Sequence, residues 1–195
     1  MKCFVDISLS LDGFTAGDVI NVEQPLGYRG ELLHEWFFSG KTPEAIRMQE
    51  YVVNRTGAVI AGNGTYAPAI PVAWNKQSPF KVPCIVLCHQ QPAFTVSGFL
   101  YETGGIKAAL ERAVDIAGDK DVWIMGGANV IQQFIAAGWV DELHLHVVPV
   151  LLGKGRRLLE HIDPSAFGFR LVEKAFASEV VHLRYFKVVD HDEPD

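Results

Sequence analysis

The residues best placed to do chemistry are two glycines inside Asp121-Val122-Trp123-Ile124-Met125-Gly126-Gly127-Ala128-Asn129-Val130-Ile131-Gln132-Gln133-Phe134. The run reads as a buried strand that passes through Gly126-Gly127 into a helix. The first N–H groups of a helix have no partner within it, and glycine lets a backbone or a phosphate approach with no Cβ in the way. The helix dipole favours negative charge at that end. Residues 126–131 are therefore the leading phosphate cradle, although Gly-Gly also serves simply to turn a strand tightly into a helix.

Three other corners carry candidate groups. Gly62-Asn63-Gly64-Thr65 follows the apolar run Ala58–Ala61, Cys88-His89-Gln90 follows a run that starts at Pro83, and Asp12-Gly13 closes the first segment. Asp12 is the candidate catalytic residue: a carboxylate there could pass a proton to a hydride acceptor. The competing account is an Asp-Gly turn that needs Asp only for local hydrogen bonds. Trp36 and Trp74 fall in loops and could wall a planar substrate, or anchor those loops on the body. His144 and His146 share one side of a strand, a spacing that can bind a metal. With only His182 as a conceivable third ligand, exposed or interface histidines are the expectation and no metal is assigned. Cys88 has no His-Asp partner set and is expected to be inert, and Tyr66 to be a packing residue. Lys154, Arg156 and Arg157 read as surface charges, of which the two arginines could instead help clamp a phosphorylated substrate.

These groups need a scaffold, and the periodicity supplies strands alternating with helices. Residues 2–11 alternate as a first strand, and 14–40 form a long glycine-rich loop with a short helical turn at 32–38. Thr42 and Pro43 open a helix to about Arg55, expected to turn Ile46, Tyr51 and Val53 inward. Strands follow at 58–62, 83–88, 94–97 and 99–101, then a helix at 105–117. The strand and helix of 121–137 end at Gly138, a C-cap. A strand at 142–152 precedes an antiparallel pair at 169–177 and 179–188. This order predicts a mostly parallel sheet flanked by helices, with an antiparallel edge. In such sheets ligands sit beyond the carboxyl ends of the strands, where the four corners gather.

The bulk composition fits that architecture. A chain of 195 residues, 49% apolar and 21% charged, is expected to form one domain over 1–189 with a polar tail at 190–195. A net charge of −6 without a basic cluster argues against nucleic acid. Three cysteines and no leader-like start suggest a reducing, cytoplasmic setting. Nothing approaches the roughly 18 uninterrupted apolar residues that a membrane helix needs.

The chain resembles the dihydrofolate-reductase-like superfamily, specifically the C-terminal reductase domain of the bifunctional riboflavin-biosynthesis deaminase-reductase. The resemblance rests on Ser10-Leu11-Asp12-Gly13, Gly62-x-x-Thr65-Tyr66, Met125-Gly126-Gly127-Ala128, and Asp141-Glu142-Leu143 leading to Pro149-Val150-Leu151-Leu152-Gly153-x-Gly155. It implies a three-layer α/β/α fold, and a homodimer that reduces a small planar heterocycle with NADPH, or NADH. The homology name is 5-amino-6-(5-phosphoribosylamino)uracil reductase. By similarity, Gly62, Asn63 and Thr65 hold the dinucleotide from one side, and Met125, Gly126, Gly127, Ala128, Asn129 and Val130 from the other. Gly13 borders the nicotinamide, and Leu87, Cys88 and His89 flank the adenine and its ribose. Asn63, His89 and Gln90 stand where the family often carries a 2′-phosphate-binding arginine or its neighbours. Asp6 and Met125 replace the lysine and glutamate typical of the riboflavin enzymes. Folate reduction would call for a carboxylate on the first helix, with Glu44 and Glu50 the candidates. A nucleotide- or flavin-binding module without turnover is the alternative.

Overall fold

The computed structural model describes residues 1–38, 42–177 and 179–188. The tail expected at 190–195 lies outside the described residues, as do positions 39–41 of the long loop. In chain order the elements are β1 (Cys3–Ser10), β2 (Phe14–Ala16), a 3-10 helix (Gly30–His34), α1 (Glu35–Phe38), α2 (Pro43–Arg55), β3 (Thr56–Gly62), α3 (Asn63–Ala69), β4 (Cys84–Leu87), β5 (Phe99–Glu102), α4 (Gly105–Ala117), β6 (Asp121–Gly126), α5 (Ala128–Ala136), β7 (Glu142–Val148), β8 (Arg156–Arg157), a second 3-10 helix (Pro164–Ala166), β9 (Phe169–Ala177) and β10 (Val180–Lys187).

Eight strands form one sheet in the order β5-β4-β3-β6-β1-β7-β10-β9, and β2 pairs separately with β8. The strands from β5 to β7 are parallel, β10 runs antiparallel to β7, and β9 antiparallel to β10. This is the expected three-layer architecture with an antiparallel C-terminal edge. Parallel β1, β3, β4 and β6 bring their carboxyl ends to one edge, so the four corners gather as the sequence predicted.

Side chains alternate across a sheet. On one face Val5, Ile60, Ile124 and Leu143 pack against Ala113 of α4 and Ile131 and Phe134 of α5, all fully buried. Each large side chain buried there contributes roughly 1.5–3 kcal/mol. The other face is mixed. Val59, Ala61 and Val86 lie under Tyr66, Phe99 and Tyr101, and Val148 and Val180 under Leu33, Trp36 and Ala45. Between β1, β7 and β10 the same face carries buried polar side chains: Ser8, Glu142, His144, His146 and His182.

Several boundaries differ from the sequence reading. Thr42 caps α2 as expected, accepting from the Ala45 N–H at 3.2 Å. The helix, however, turns Ala45 and Val52 inward, leaving Ile46, Tyr51 and Val53 at 42%, 44% and 45% exposure. The inward stripe runs Ala45, Met48, Val52 at helical spacing, and its small residues let α2 sit close to the sheet. Residues 94–97 are irregular rather than a strand, with Phe94 exposed. The strand expected to reach Leu152 stops at Val148, before Pro149, which has no N–H for the ladder. Gly138 ends α5 with a φ of 71°, as expected of a C-cap.

Candidate functional site

β3 and β6 are neighbours, with Ala61 opposite Gly126. The two glycine corners therefore stand side by side at one edge of the sheet. A Cβ on Gly62 would lie 2.8 Å from Val130 Cγ2 and 3.9 Å from the Gly127 nitrogen, and one on Gly127 would lie 3.1 Å from Thr65 Oγ1. A Cβ at Gly62 would press on Val130, and one at Gly127 would need only a small shift of Thr65. No side chain caps α5 at Gly127. The Val130 and Ile131 N–H groups both turn back to the Gly127 carbonyl, at 2.9 and 3.2 Å. Ala128 and Val130 are buried, Asn129 is exposed, and Met125 is half-buried. α3 is a seven-residue helix with Pro68 inside it, so its dipole is the weaker of the two.

On the other side of β3, Leu87 pairs with Gly62. The Cys88 thiol donates to the Glu102 carbonyl at 3.7 Å, and burial pushes its pKa up, consistent with an inert thiol. His89 is exposed. Gly13 follows β1 with a φ of 82°.

Asp12 sits at that edge as a clamp. Its carboxylate accepts hydrogen bonds from Ser10 Oγ at 2.6 Å, Gly153 N at 2.7 Å and Leu152 N at 3.2 Å. The little burial it has works to raise its pKa, but these bonds outweigh that and hold it below the usual carboxylate range. A group so held keeps its charge at neutral pH and serves as a hydrogen-bond acceptor. The Asp12 carbonyl accepts from Arg157 Nη1 at 2.8 Å, and that guanidinium lies over the Phe14 ring at 4.3 Å.

The tryptophans also serve differently from an open aromatic wall. Trp36 is buried, donates from Nε1 to Ser8 Oγ at 2.9 Å, and lies 4.6 Å from the His146 ring and 4.9 Å from the His182 ring. Trp74 packs on Phe99, stacked at 5.8 Å, and on Phe80. Both anchor their loops on the body.

The acid-base inventory lies elsewhere, in a cavity of about 400 Å³ between α2 and the sheet, lined among others by Asp6, Met48, Tyr51, His144, His182 and Arg184. The histidines expected at a surface or interface are 5–6% exposed, because Trp36 and α2 cover that face. Asp6 Oδ2 lies 3.1 Å from His146 Nε2 and 3.4 Å from His144 Nδ1, and Glu142 Oε2 lies 3.1 Å from His144 Nε2. Burial works to raise the Asp6 pKa, but His146 and His144 hold it well below the usual range. Burial opposes charge on His144 too, yet Asp6 and Glu142 raise its pKa. Glu44 reaches the cavity but pairs with Arg47 at 2.8 Å, and Glu50 is exposed. No group of three or more His, Cys, Asp or Glu among the described residues has the geometry to hold a metal ion.

Asp6, Ser8, His182 and Arg184 were not among the site residues expected from the sequence, although Asp6 was noted as a departure from the family pattern and His182 as a conceivable metal ligand. A signal for the first two existed: Asp6, Ser8 and Ser10 alternate with apolar residues along β1, which is odd for a strand buried on both faces.

The RibD C-terminal domain family matches residues 2–183. The uncharacterized protein YyaP of Bacillus subtilis (strain 168) is 39% identical over 67 residues, 34% of this chain and 35% of that one. The matched segment thus spans about a third of that relative's length. A Shewanella sp. PV-4 protein provisionally assigned to riboflavin biosynthesis superposes with a TM-score of 0.75 at 18% identity, covering 97% of this chain and 100% of that one. The Thermotoga maritima diaminohydroxyphosphoribosylaminopyrimidine deaminase/5-amino-6-(5-phosphoribosylamino)uracil reductase gives 0.63 at 15% identity, over 96% of this chain and 56% of that one. Dihydrofolate reductase from Enterococcus faecalis, complexed with NADP(H) and RAB-propyl, gives 0.61 at 14% identity over 95% of each chain. At these identities the structural likeness is one of fold, and it is the family match across almost the whole chain that decides membership. The chain belongs to the RibD C-terminal domain family.

Proposed function

We propose that this protein is a nicotinamide-dinucleotide-dependent reductase of the dihydrofolate-reductase type, acting on a small planar heterocycle. The observation that carries the reading is the meeting of Gly62 and Gly126-Gly127 at the carboxyl edge, beside the uncapped start of α5. The glycines bring β3 against Val130 and Thr65 at the start of α5, and a helix start with no side-chain cap suits a diphosphate. Gly62, Asn63 and Thr65 would hold it from one side and Gly126 to Val130 from the other. Gly13 would border the nicotinamide, and Leu87, Cys88 and His89 the adenosine. When bound, such a dinucleotide supplies the hydride.

The chain's own contribution is positioning and proton chemistry. β1 alone separates β6, with its glycine corner, from β7, where the buried polar row continues. The acceptor fits the cavity beneath α2, whose volume suits a small ring. With Asn63, His89 and Gln90 at the adenosine end, no arginine stands at these positions to fork onto a 2′-phosphate. NADPH and NADH are therefore both expected to bind. Titrating the protein with each dinucleotide while following tryptophan fluorescence tests binding, and dinucleotide oxidation across dihydrofolate, pyrimidine and quinone acceptors tests turnover. Binding with turnover of one acceptor supports the proposal. Binding with none favours a nucleotide-binding module, and no binding removes both readings.

A further inference from the structure

The cavity beneath α2 holds more ionisable chemistry than gripping a flat ring requires. His146 Nδ1 and His182 Nδ1 are 2.6 Å apart. A single proton must lie between them, donated by one ring and accepted by the other. Behind this pair, Asp6 Oδ2 is 3.1 Å from His146 Nε2, off the line of a formed hydrogen bond but close enough to stabilise positive charge on that ring. Ahead of it, His182 Nε2 is buried with no partner, and His182 lines the cavity. Leaving a buried polar atom unpaired costs about 1–3 kcal/mol. An orphan nitrogen on a residue of the cavity wall calls for a hydrogen-bond partner.

Strand register builds the row. Ser8 pairs with His146 across β1 and β7, and His146 with His182 across β7 and β10. The Trp36 indole covers both rings, fixed by its bond to Ser8. Burial and then His146 push the His182 pKa down to about 4, which disfavours an extra proton on that ring, while Asp6 stands beside the other ring. Other ionisable groups face the pair. Tyr51 and the Glu44–Arg47 pair come from α2, and Arg184 with its partner Glu173 from β10 and β9. His144 lies on β7, and His34 of the first 3-10 helix feels the charge of His146. A pH profile therefore reads the cluster as a whole.

We propose that Asp6, His146 and His182 form a proton relay that delivers one proton from His182 Nε2 to the heterocycle as its carbon accepts the hydride. The inference rests on the reductase reading and adds to it the residue that supplies the proton. In the charged form His146 carries protons on both nitrogens and His182 carries one on Nε2. As the Nε2 proton passes to a ring nitrogen of the acceptor, the His146 Nδ1 proton moves to His182 Nδ1. The acceptor C=N bond becomes CH–NH, with its hydride and two electrons drawn from the dinucleotide and its proton from His182. Both histidines end neutral, His146 keeping its Nε2 proton beside Asp6, and the pair regains one proton from water. His182 is the catalytic residue; His146 and Asp6 are positioning residues.

The test begins with the ligand-free full chain, labelled with ¹⁵N in its histidines. The relay predicts a strongly downfield imidazole proton coupled to two Nδ1 nitrogens, lost in both His146→Gln and His182→Gln. Its absence from the wild type, or its survival in either variant, overturns the pairing. With the acceptor found in the screen, His182→Gln should lower kcat by about a hundredfold while leaving the dinucleotide Kd unchanged. His146→Gln should lower kcat less and displace its pH profile. An unchanged kcat in His182→Gln overturns the relay and leaves the reductase reading standing. A wild type that binds no dinucleotide overturns both. If the variants lose their dispersed amide spectra, the wild-type kcat in D2O decides: a lower value than in H2O supports the relay, and an equal one overturns it.

Discussion

Asp12 stands at the carboxyl edge of the sheet as the acceptor of three hydrogen bonds. Its carboxylate spans two strand ends, tying Ser10 at the end of β1 to the turn at Leu152 and Gly153. A carboxylate that accepts three hydrogen bonds holds a shape and keeps its charge. Asp12→Asn should therefore cost about 1–2 kcal/mol in denaturant unfolding, through a weakened clamp. Turnover, where an acceptor is found, should stay within about tenfold. A hundredfold loss of kcat at unchanged stability would restore Asp12 as the proton donor. The same distinction separates Trp36 from a substrate wall, since its indole N–H is already committed to Ser8.

At the scale of elements, α2 is pinned to the sheet by a charged cluster at its C-terminal end. Arg55 donates from Nε to Asp121 Oδ2 at 2.7 Å and from Nη1 to Glu142 Oε2 at 2.8 Å, and lies over the Phe4 ring at 4.3 Å. Lys2 adds a 2.6 Å contact to Glu142. Arg55→Ala strips buried Glu142 of its main cation, and should cost about 3–5 kcal/mol by urea unfolding. A change below about 1 kcal/mol would mean the cluster is no stronger than a surface pair. The order of strands and helices was legible because hydrophobic period is a local property. The bounds of α4 and the side-by-side placement of the two glycine corners were legible for that reason. The inward face of α2 was not, because small Ala45 rather than large Ile46 makes the contact. The histidines were named but expected at a surface or interface, because alternation assigns them to a face without saying what covers it. The cover is Trp36, and the partner His182 comes from β10; both contacts are set by tertiary structure.

For the whole molecule, the polar cluster sets a pH response. Burial and His146 push both His182 and His34 down to about 4, from an ordinary value near 6.5. Between those values the unfolded chain binds protons that the folded chain refuses, so stability falls as pH falls through that window. Asp6 and Glu142, held below the ordinary range by their partners, contribute stability at neutral pH that is lost as the medium becomes more acid still. His144 acts oppositely: its raised pKa adds stability below about pH 6.5 that fades as pH rises through the folded value. Two lowered histidines against one raised one should make the melting temperature drop between about pH 6.5 and 4. His182→Gln should make that drop shallower. A flat or rising melting temperature over the same range would contradict the buried, neutral assignment of these rings. The central claim concerns the edge where β3 and β6 end, and fluorescence titration of the wild type and Gly127→Asp with NADPH tests it most directly. The account predicts saturable binding to the wild type and loss of at least about tenfold in affinity in the variant, with the fold retained, since a carboxylate would face the diphosphate. Equal binding by the two proteins, or none by the wild type, would contradict it.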